Sequence, residues 1–229
     1  MPKVLFLIFI ISPICIFASV PKNNSRISDF TDMTKGELES DISEGLTYKD
    51  LYRDYITIDQ KWLILKRIRK GNPEFASKVY LTSIKSLDWV LRSGGIQFLA
   101  SLNPSLARSK ALELLKNDPA LMVRSTALQT LEKIGIENHK DILWATLRDS
   151  KNFHKGQSLW IRKDIAKNLI NLTDQTDLLS WSILLSDKDS QIVNSSIKAL
   201  EKNSGLIMGQ ADSSLEAKAQ LWKNKFNLN

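Results

Sequence analysis

Three arginines recur along this sequence at nearly equal intervals. Arg92, Arg124 and Arg162 each follow an apolar residue at the start of an amphipathic stretch. A guanidinium group presents five N–H donors in a planar fork, which suits carboxylates and phosphates. The row has two interpretations: a basic stripe for an anionic ligand, or a ladder in which each arginine bonds the preceding turn between helices. The position of Asp118 before Arg124 favours the ladder, because Asp–Arg pairing is geometrically strong.

A second group of cations lies at the end of one predicted helix. Cations in the last turns of a helix complement the partial negative charge of its C-terminus, which gives them a structural role. The alternative role is a docking patch for an anionic partner. This group, called the basic cluster below, consists of Lys66, Arg67, Arg69 and Lys70.

An insertion interrupts the regular spacing of the sequence. Thirteen positions separate Asp149 from Arg162, whereas six separate Asp118 from Arg124. Insertions in helical repeats map to loops on one face, which is often the binding face. The alternative is a surface loop without a function. The candidate contact residues of the insertion are Lys151, Phe153, His154, Lys155 and Trp160.

Motifs for catalysis and metal binding are missing from the sequence. The two histidines, His139 and His154, have no partner at metal-ligand spacing, and the only cysteine is Cys15. The sequence contains no zinc-protease motif, no nucleophile elbow and no glycine-rich phosphate loop. It therefore predicts a protein that is not an enzyme and that needs no metal or cofactor.

The N-terminus has the pattern of a secretory signal peptide. Lys3 precedes an apolar run from Val4 to Phe17, and Ala18 offers a small residue at the cleavage point. The run is shorter than the roughly 20 residues of a membrane-spanning helix. Ser12 and Ile14 before Cys15 disfavour a lipoprotein. We expect a cleaved signal over residues 1–18 and a periplasmic or secreted location, and the alternative is an uncleaved anchor.

Charge is distributed unevenly along the 229 residues. The total formal charge is +7, while residues 19–45 carry −3 and Lys3 leaves with the signal. Residues 46–229 therefore carry +9. The polar stretch 19–45 is interpreted as a flexible leader. A basic body indicates an anionic partner or serves solubility alone.

Helical periodicity begins at Leu46 and continues to the end of the chain. Capping signals mark several helix starts: Thr57 with Gln60, Asn72-Pro73, Asn103-Pro104, Asp118-Pro119, and Ser213 with Glu216. Gly71 and Gly135 are expected to stop helices. Trp62 and Trp222 lie on apolar stripes near the two ends. The other tryptophans occupy unequal positions, so core packing is favoured over a role as a groove lining.

The helices repeat with a nearly constant step. Equivalent positions are 92, 124, 162 and 193, which are 32, 38 and 31 residues apart. Such a step with one longer member is typical of a solenoid with one insertion. In the last unit Val193 replaces the arginine. In the first unit Gly94 and Gly95 weaken the helix.

These residues resemble HEAT repeats, in particular the short bacterial form also found in phycobilisome lyase-like proteins. The resemblance covers about residues 73–203 and is closest at Asp118-Pro119, Val123-Arg124, Ala127, Leu131 and Ile134-Gly135. It implies a right-handed stack of helix pairs, and it implies scaffolding or binding more often than catalysis.

The predicted fold is all-α: a right-handed α-solenoid of about four HEAT-like helix pairs over residues 46–229, with capping helices at both ends. The predicted function is a non-catalytic, exported binding or scaffold protein. Its expected partner is a protein or another anionic surface or polymer. The alternatives are a HEAT-like DNA glycosylase or other nucleic-acid-binding protein, which export disfavours, and a lyase- or chaperone-like factor.

Overall fold

Capping residues define where most helices begin. The computed structural model describes residues 48–228, so the predicted signal and leader lie outside the described residues. Ten α-helices occur in the described part: α1 Ile58–Ile68, α2 Pro73–Ile84, α3 Trp89–Leu102, α4 Pro104–Asn117, α5 Leu121–Ile134, α6 Lys140–Arg148, α7 Ile161–Leu172, α8 Leu178–Ile183, α9 Ser190–Ser204 and α10 Leu215–Lys225.

Three predicted helix starts are confirmed by the cap geometry. Thr57 and Gln60 form a capping box at α1, in which each side chain bonds the other residue's backbone N–H. Asn72 and Asn103 cap α2 and α4 through their side-chain oxygens, and the proline after each occupies the first turn. Satisfying the free N–H groups of a first turn stabilises a helix by about 1 kcal/mol.

Two predicted starts are displaced. The Asp118-Pro119 pair precedes α5 instead of opening it, because Ala120 is the cap residue and the Asp118 carboxylate accepts the Ala120 N–H at 2.8 Å. Near the end of the chain, Ser214 rather than Ser213 caps α10, through the N–H of Ala217.

Successive helices pack together in pairs, and the pairs are in contact with one another. α2 packs on α3, α4 on α5, α6 on α7 and α8 on α9. The second helix of each pair also contacts the second helix of the next, so α3, α5, α7 and α9 form a continuous series. α1 contacts α3, and α10 contacts α9. The all-α prediction is confirmed for residues 48–228, apart from one small hairpin.

Close helix contact explains the two adjacent glycines of α3. A methyl group on Gly95 would lie 2.9 Å from the backbone oxygen of Tyr80 in α2, and one on Gly94 would lie 2.4 Å from Leu65 in α1. The hydroxyl of Tyr80 donates to the backbone oxygen of Leu65 at 2.9 Å, and burial raises the pKa of Tyr80 to about 12. The glycines therefore let α3 fit between α1 and α2.

The insertion folds into a β-hairpin, which the sequence did not predict. Strands β1 Phe153–His154 and β2 Gln157–Ser158 pair antiparallel, after a 3₁₀ turn at Ser150–Asn152. Lys155 and Gly156 connect the strands with φ angles of 49° and 76°. Two central residues with positive φ form the tight turn that matches the twist of a hairpin.

Candidate functional site

Arg92 connects two successive turns between helices. Its Nε and Nη2 donate to the two carboxylate oxygens of Asp118 at 2.6 and 2.9 Å. Its Nη1 donates to the backbone oxygens of Ser86 and Leu87 at 2.9 and 2.8 Å. Ser86 and Leu87 precede α3 itself, whereas Asp118 precedes α5. Arg92 thus fastens its own turn to the turn of the next pair.

Arg124 repeats this connection with different acceptors. Its Nη1 donates to the backbone oxygens of Asp118 and Pro119 at 2.9 and 3.0 Å. Across to the next turn, Nη2 donates to the Lys151 backbone oxygen at 2.9 Å and Nε to the Asn152 side-chain oxygen at 3.2 Å. The Asp118 carboxylate, which the sequence order suggested as the partner of Arg124, instead pairs with Arg92. Arg124 is 2% exposed.

Arg162 is the third member of the series. Its Nη2 and Nη1 donate to the carboxylate of Asp187 at 2.6 and 3.3 Å, and its Nε donates to the Leu147 backbone oxygen at 2.9 Å. The Ser158 hydroxyl accepts a further bond. The guanidinium lies 4.1 Å from the ring centre of Phe153, a cation–π contact. The hairpin is thereby held against the ladder.

Lys61 extends the series towards the N-terminus. Its ammonium lies 2.5 Å from the carboxylate of Asp88, which caps α3. Lys61 and Arg92 are both the fourth residue of their helix, and they are 31 positions apart. That spacing is the signal that could have identified Lys61. At the other end Val193 occupies the equivalent position, so the series ends at Asp187.

The series, called the arginine ladder below, is internally bonded, with Arg124 and Arg162 buried and Lys61 and Arg92 half-buried. Burial raises the pKa of Asp187, but hydrogen bonds from Arg162 and from the Asp189 N–H outweigh it, so the pKa lies below its usual value. Burial also raises the pKa of Asp88. Hydrogen bonds from Lys61 and from the Val90 N–H outweigh this effect, so the pKa of Asp88 is lowered as well. Each of Arg92, Arg124 and Arg162 already makes four hydrogen bonds within the chain, which leaves little donor capacity for a ligand.

The hairpin forms one wall of a cleft of about 830 Å³. The opposite wall is the turn from Ser186 to Ser190, before α9. His154 and Lys155 are exposed, and Trp160 is 36% exposed, whereas Phe153 is half-buried. Lys151 reaches away from the cleft and donates to the backbone oxygen of Lys116 at 2.7 Å. The insertion residues thus divide between the cleft, the solvent and the preceding pair of helices.

The basic cluster borders a second, smaller groove. This groove of about 280 Å³ lies where α1, α3 and α5 end, and Arg69 of the cluster lines it. Lys133 of α5 lines it as well. Within the described part of the chain, no carboxylate forms an ion pair with Lys133 or with any of the four cluster cations.

Most of the tryptophans stabilise the core. Trp144 and Trp181 pack edge to face with ring centres 4.8 Å apart, and their N–H groups bond Asp177 and Thr173. Trp222 is fully buried where α10 covers α9. Trp89, at the start of α3, is 39% exposed. Only exposed tryptophans at helix starts are available to a partner.

Candidate metal ligands are dispersed within residues 48–228. The structure brings no three His, Cys, Asp or Glu side chains there into a group that could hold a metal ion. His139 precedes α6 and His154 lies in the hairpin. None of the helices in this range has the length and apolar character that a membrane span requires.

Comparison with protein-family models, curated proteins and solved structures finds no match for this chain. The resemblance to HEAT repeats therefore rests on the sequence alone.

Proposed function

We propose that this protein is an exported, non-catalytic binding or scaffold protein. In this proposal the helix pairs form a right-handed α-solenoid of the HEAT type, with α1 and α10 as caps. The contacts of α3, α5, α7 and α9 in series support this arrangement, because each pair of a solenoid contacts only its neighbours. The full burial of Trp222, a residue of α10, where α10 contacts α9 supports the capping role.

The arginine ladder is the observation that carries the proposal. The hydrogen bonds of Arg92, Arg124 and Arg162 join consecutive turns between helices. None of the three arginines faces a pocket as a free cation. Such bonding fixes the relative position of neighbouring helix pairs. A surface whose side chains are held rigidly loses little entropy on binding, which suits a docking scaffold.

The partner in this proposal is a protein that presents negative charge. Residues 46–229 carry a net charge of +9, and the basic cluster at the end of α1 has no ion pair within the described residues. In the proposed exported location the protein is separated from the genome, which favours a protein over nucleic acid as the partner. The hairpin and its cleft offer a second contact surface on the ladder side.

Mass spectrometry of the protein from fractionated native cells tests the export part of the proposal. We expect a mature N-terminus near Ser19 in the periplasmic or extracellular fraction. An intact Met1 in the cytoplasm would contradict export and would make nucleic-acid binding the next hypothesis to test.

Site-specific photo-crosslinking in the same cells tests the binding part. A photoreactive residue at His154 in the hairpin should give a discrete crosslinked product, since this side chain is exposed beside the cleft. The control position is Glu113, which is exposed on α4. Products that are identical at both positions, or the absence of a product at His154, would count against a dedicated binding surface.

A further inference from the structure

The geometry points to the groove between the ends of α1, α3 and α5 as a receptor for an acidic peptide segment that carries one apolar side chain. The inference deepens the proposed function, on which it rests, by naming the site and the chemistry of the partner. The groove combines unpaired positive charge, an apolar floor and a volume that suits one side chain.

The charge around the groove is positive and uncompensated. Arg69, just after α1, and Lys133, in α5, both line the groove, and α3 contacts both helices. Both side chains are exposed. The other cations of the basic cluster, Lys66, Arg67 and Lys70, lie in the same helix end as Arg69.

The ladder gives a contrast within the same molecule. Each cation of the ladder has a carboxylate or carbonyl acceptor, for example Arg92 with Asp118 at 2.6 Å. Among residues 48–228, Arg69 and Lys133 have no carboxylate within ion-pair distance. Free guanidinium and ammonium groups that face each other across a groove can clamp carboxylates arriving from a partner.

The floor of the groove is apolar. Phe98, Ala100 and Ile134 line it, and Phe98 is 9% exposed while its ring packs against Trp62 with centres 5.5 Å apart. Gln97 and Ser101 supply polar groups at its rim. An apolar floor between two cations favours an apolar side chain flanked by acids over a purely ionic ligand.

The size of the groove is consistent with a peptide ligand. Its volume of about 280 Å³ is close to the lower limit of the roughly 300–1,000 Å³ that is usual for small-molecule and cofactor pockets. It suits a single side chain of a longer segment. A nucleic acid or an anionic membrane would engage the cations but has no single apolar side chain for the floor.

A titration of the full chain with defined peptides tests the inference. The probe is a blocked five-residue peptide with two glutamates on each side of a leucine. One matched peptide has glutamines in place of the glutamates, and another has glycine in place of the leucine. Nuclear magnetic resonance shifts of the Gln97 and Lys133 amides report both location and affinity. We expect at least tenfold weaker binding of either matched peptide, and weaker binding of the probe as salt rises.

Protein variants locate the site independently. The pair Arg69→Glu and Lys133→Glu should reduce affinity for the probe at least tenfold. The pair Lys198→Glu and Lys225→Glu makes the same change in net charge at exposed positions in α9 and α10, and should leave affinity within twofold. Ala100→Leu fills the groove without a charge change and should also weaken binding, with circular dichroism used to verify folding.

Several results would overturn the inference. These are equal binding of the leucine and glycine peptides, equal effects of the two charge-reversal pairs, or displacement of the probe by oligothymidylate or phosphatidylglycerol vesicles at lower concentration than by free probe. Because the titration uses purified protein, its failure leaves the export and scaffold proposals standing. Conversely, a cytoplasmic location would not affect the peptide result.

Discussion

At the scale of single residues, the three arginines act as connectors because of the geometry of the guanidinium group. Arg124 is nearly inaccessible to solvent, and burial lowers its pKa, with Asp118 and Asp149 opposing that effect. It nevertheless stays charged, because an arginine pKa lies far above neutral pH. Its four acceptors are spread over two turns. A buried cation of this kind is kept only where acceptors surround it.

Replacing Arg162 by lysine tests the need for the guanidinium fork. Lysine keeps the positive charge but cannot reach Asp187 and the Leu147 backbone oxygen together. We expect Arg162→Lys to lower the free energy of unfolding by about 3 kcal/mol, measured by urea denaturation. The control Arg67→Lys, at an exposed position, should change it by less than about 0.5 kcal/mol. Equal effects would show that charge alone matters.

The ion pair between Arg162 and Asp187 predicts how the free energy of unfolding responds to acid. The Asp187 pKa is lower in the folded protein than the value of about 3.9 expected when unfolded. Its contribution is therefore complete above about pH 5 and is lost as the pH falls through the folded pKa. Asp187→Asn, which does not titrate, should cost more stability at pH 6 than at pH 3.5. An equal cost at both values would contradict the prediction.

The acid response of wild type alone does not isolate Asp187, because Asp164 changes the stability in the opposite direction as the pH falls. Burial, followed by the nearby Glu132, raises the pKa of Asp164. Protonation of Asp164 on acidification therefore favours the folded state. The acid response of the whole protein mixes both signs, whereas the difference between wild type and Asp187→Asn isolates one carboxylate.

Sequence reasoning identified the ladder positions but assigned some partners incorrectly. The spacing of Arg92, Arg124 and Arg162 was visible, whereas the pairing of Asp118 with Arg92 joins residues of different helix pairs. Asn152 takes the place of a carboxylate opposite Arg124. A neutral amide within an insertion carries no spacing signal, so only the three-dimensional structure reveals this acceptor.

At the scale of helices, α3 shows how packing overrides intrinsic propensity. Gly94 and Gly95 disfavour a helix by about 1 kcal/mol each relative to alanine, and on sequence alone they made the first unit look degenerate. In the structure they give α3 its close contacts with α1 and α2. The two glycines differ in what a side chain would meet, and this difference can be measured.

Three glycine-to-alanine variants should follow a fixed order of stability. Gly95→Ala meets the backbone of Tyr80 and Ile84, which cannot rotate away, and should destabilise by about 1–3 kcal/mol. Gly94→Ala meets the end of the flexible Leu65 side chain and should cost less. Gly71→Ala, 3.4 Å from the nearest atom, should be close to neutral. Thermal unfolding gives the order, and a stabilised Gly95→Ala would refute the close-contact explanation.

Helix boundaries were predictable where one side chain determines the cap. Asn72 and Asn103 followed by proline located α2 and α4 correctly. Ser213 and Ser214 are chemically equivalent neighbours, so the sequence could not choose between them. The hairpin was missed because its strands are two residues long, too short for the alternation that marks a strand.

At the scale of the whole molecule, the helix series has one narrow connection. The contact between α5 and α7 is smaller than those between α3 and α5 or between α7 and α9. Few polar links support it: Arg124 donates to Lys151 and Asn152, Lys151 donates to Lys116, and Asn168 donates to Glu132 at 2.5 Å. The hairpin insertion lies at this same place. In a repeat array, cooperativity depends on the interface between neighbours, so this connection is where it is weakest.

Arg124→Ala should therefore uncouple the two halves of the helix series. In wild type we expect the amides of residues 58–134 and 140–225 to become exchangeable at the same urea concentration, as followed by hydrogen-exchange mass spectrometry. In the variant one half should open at lower urea than the other, because the main polar link across the narrow contact is lost. Arg92→Ala is the matched control, because it removes an equivalent connection where α3 and α5 are in broad contact. It should lower stability while both halves still open together. Joint opening in Arg124→Ala would mean that apolar packing between α5 and α7 suffices, and that the ladder adds stability without setting cooperativity.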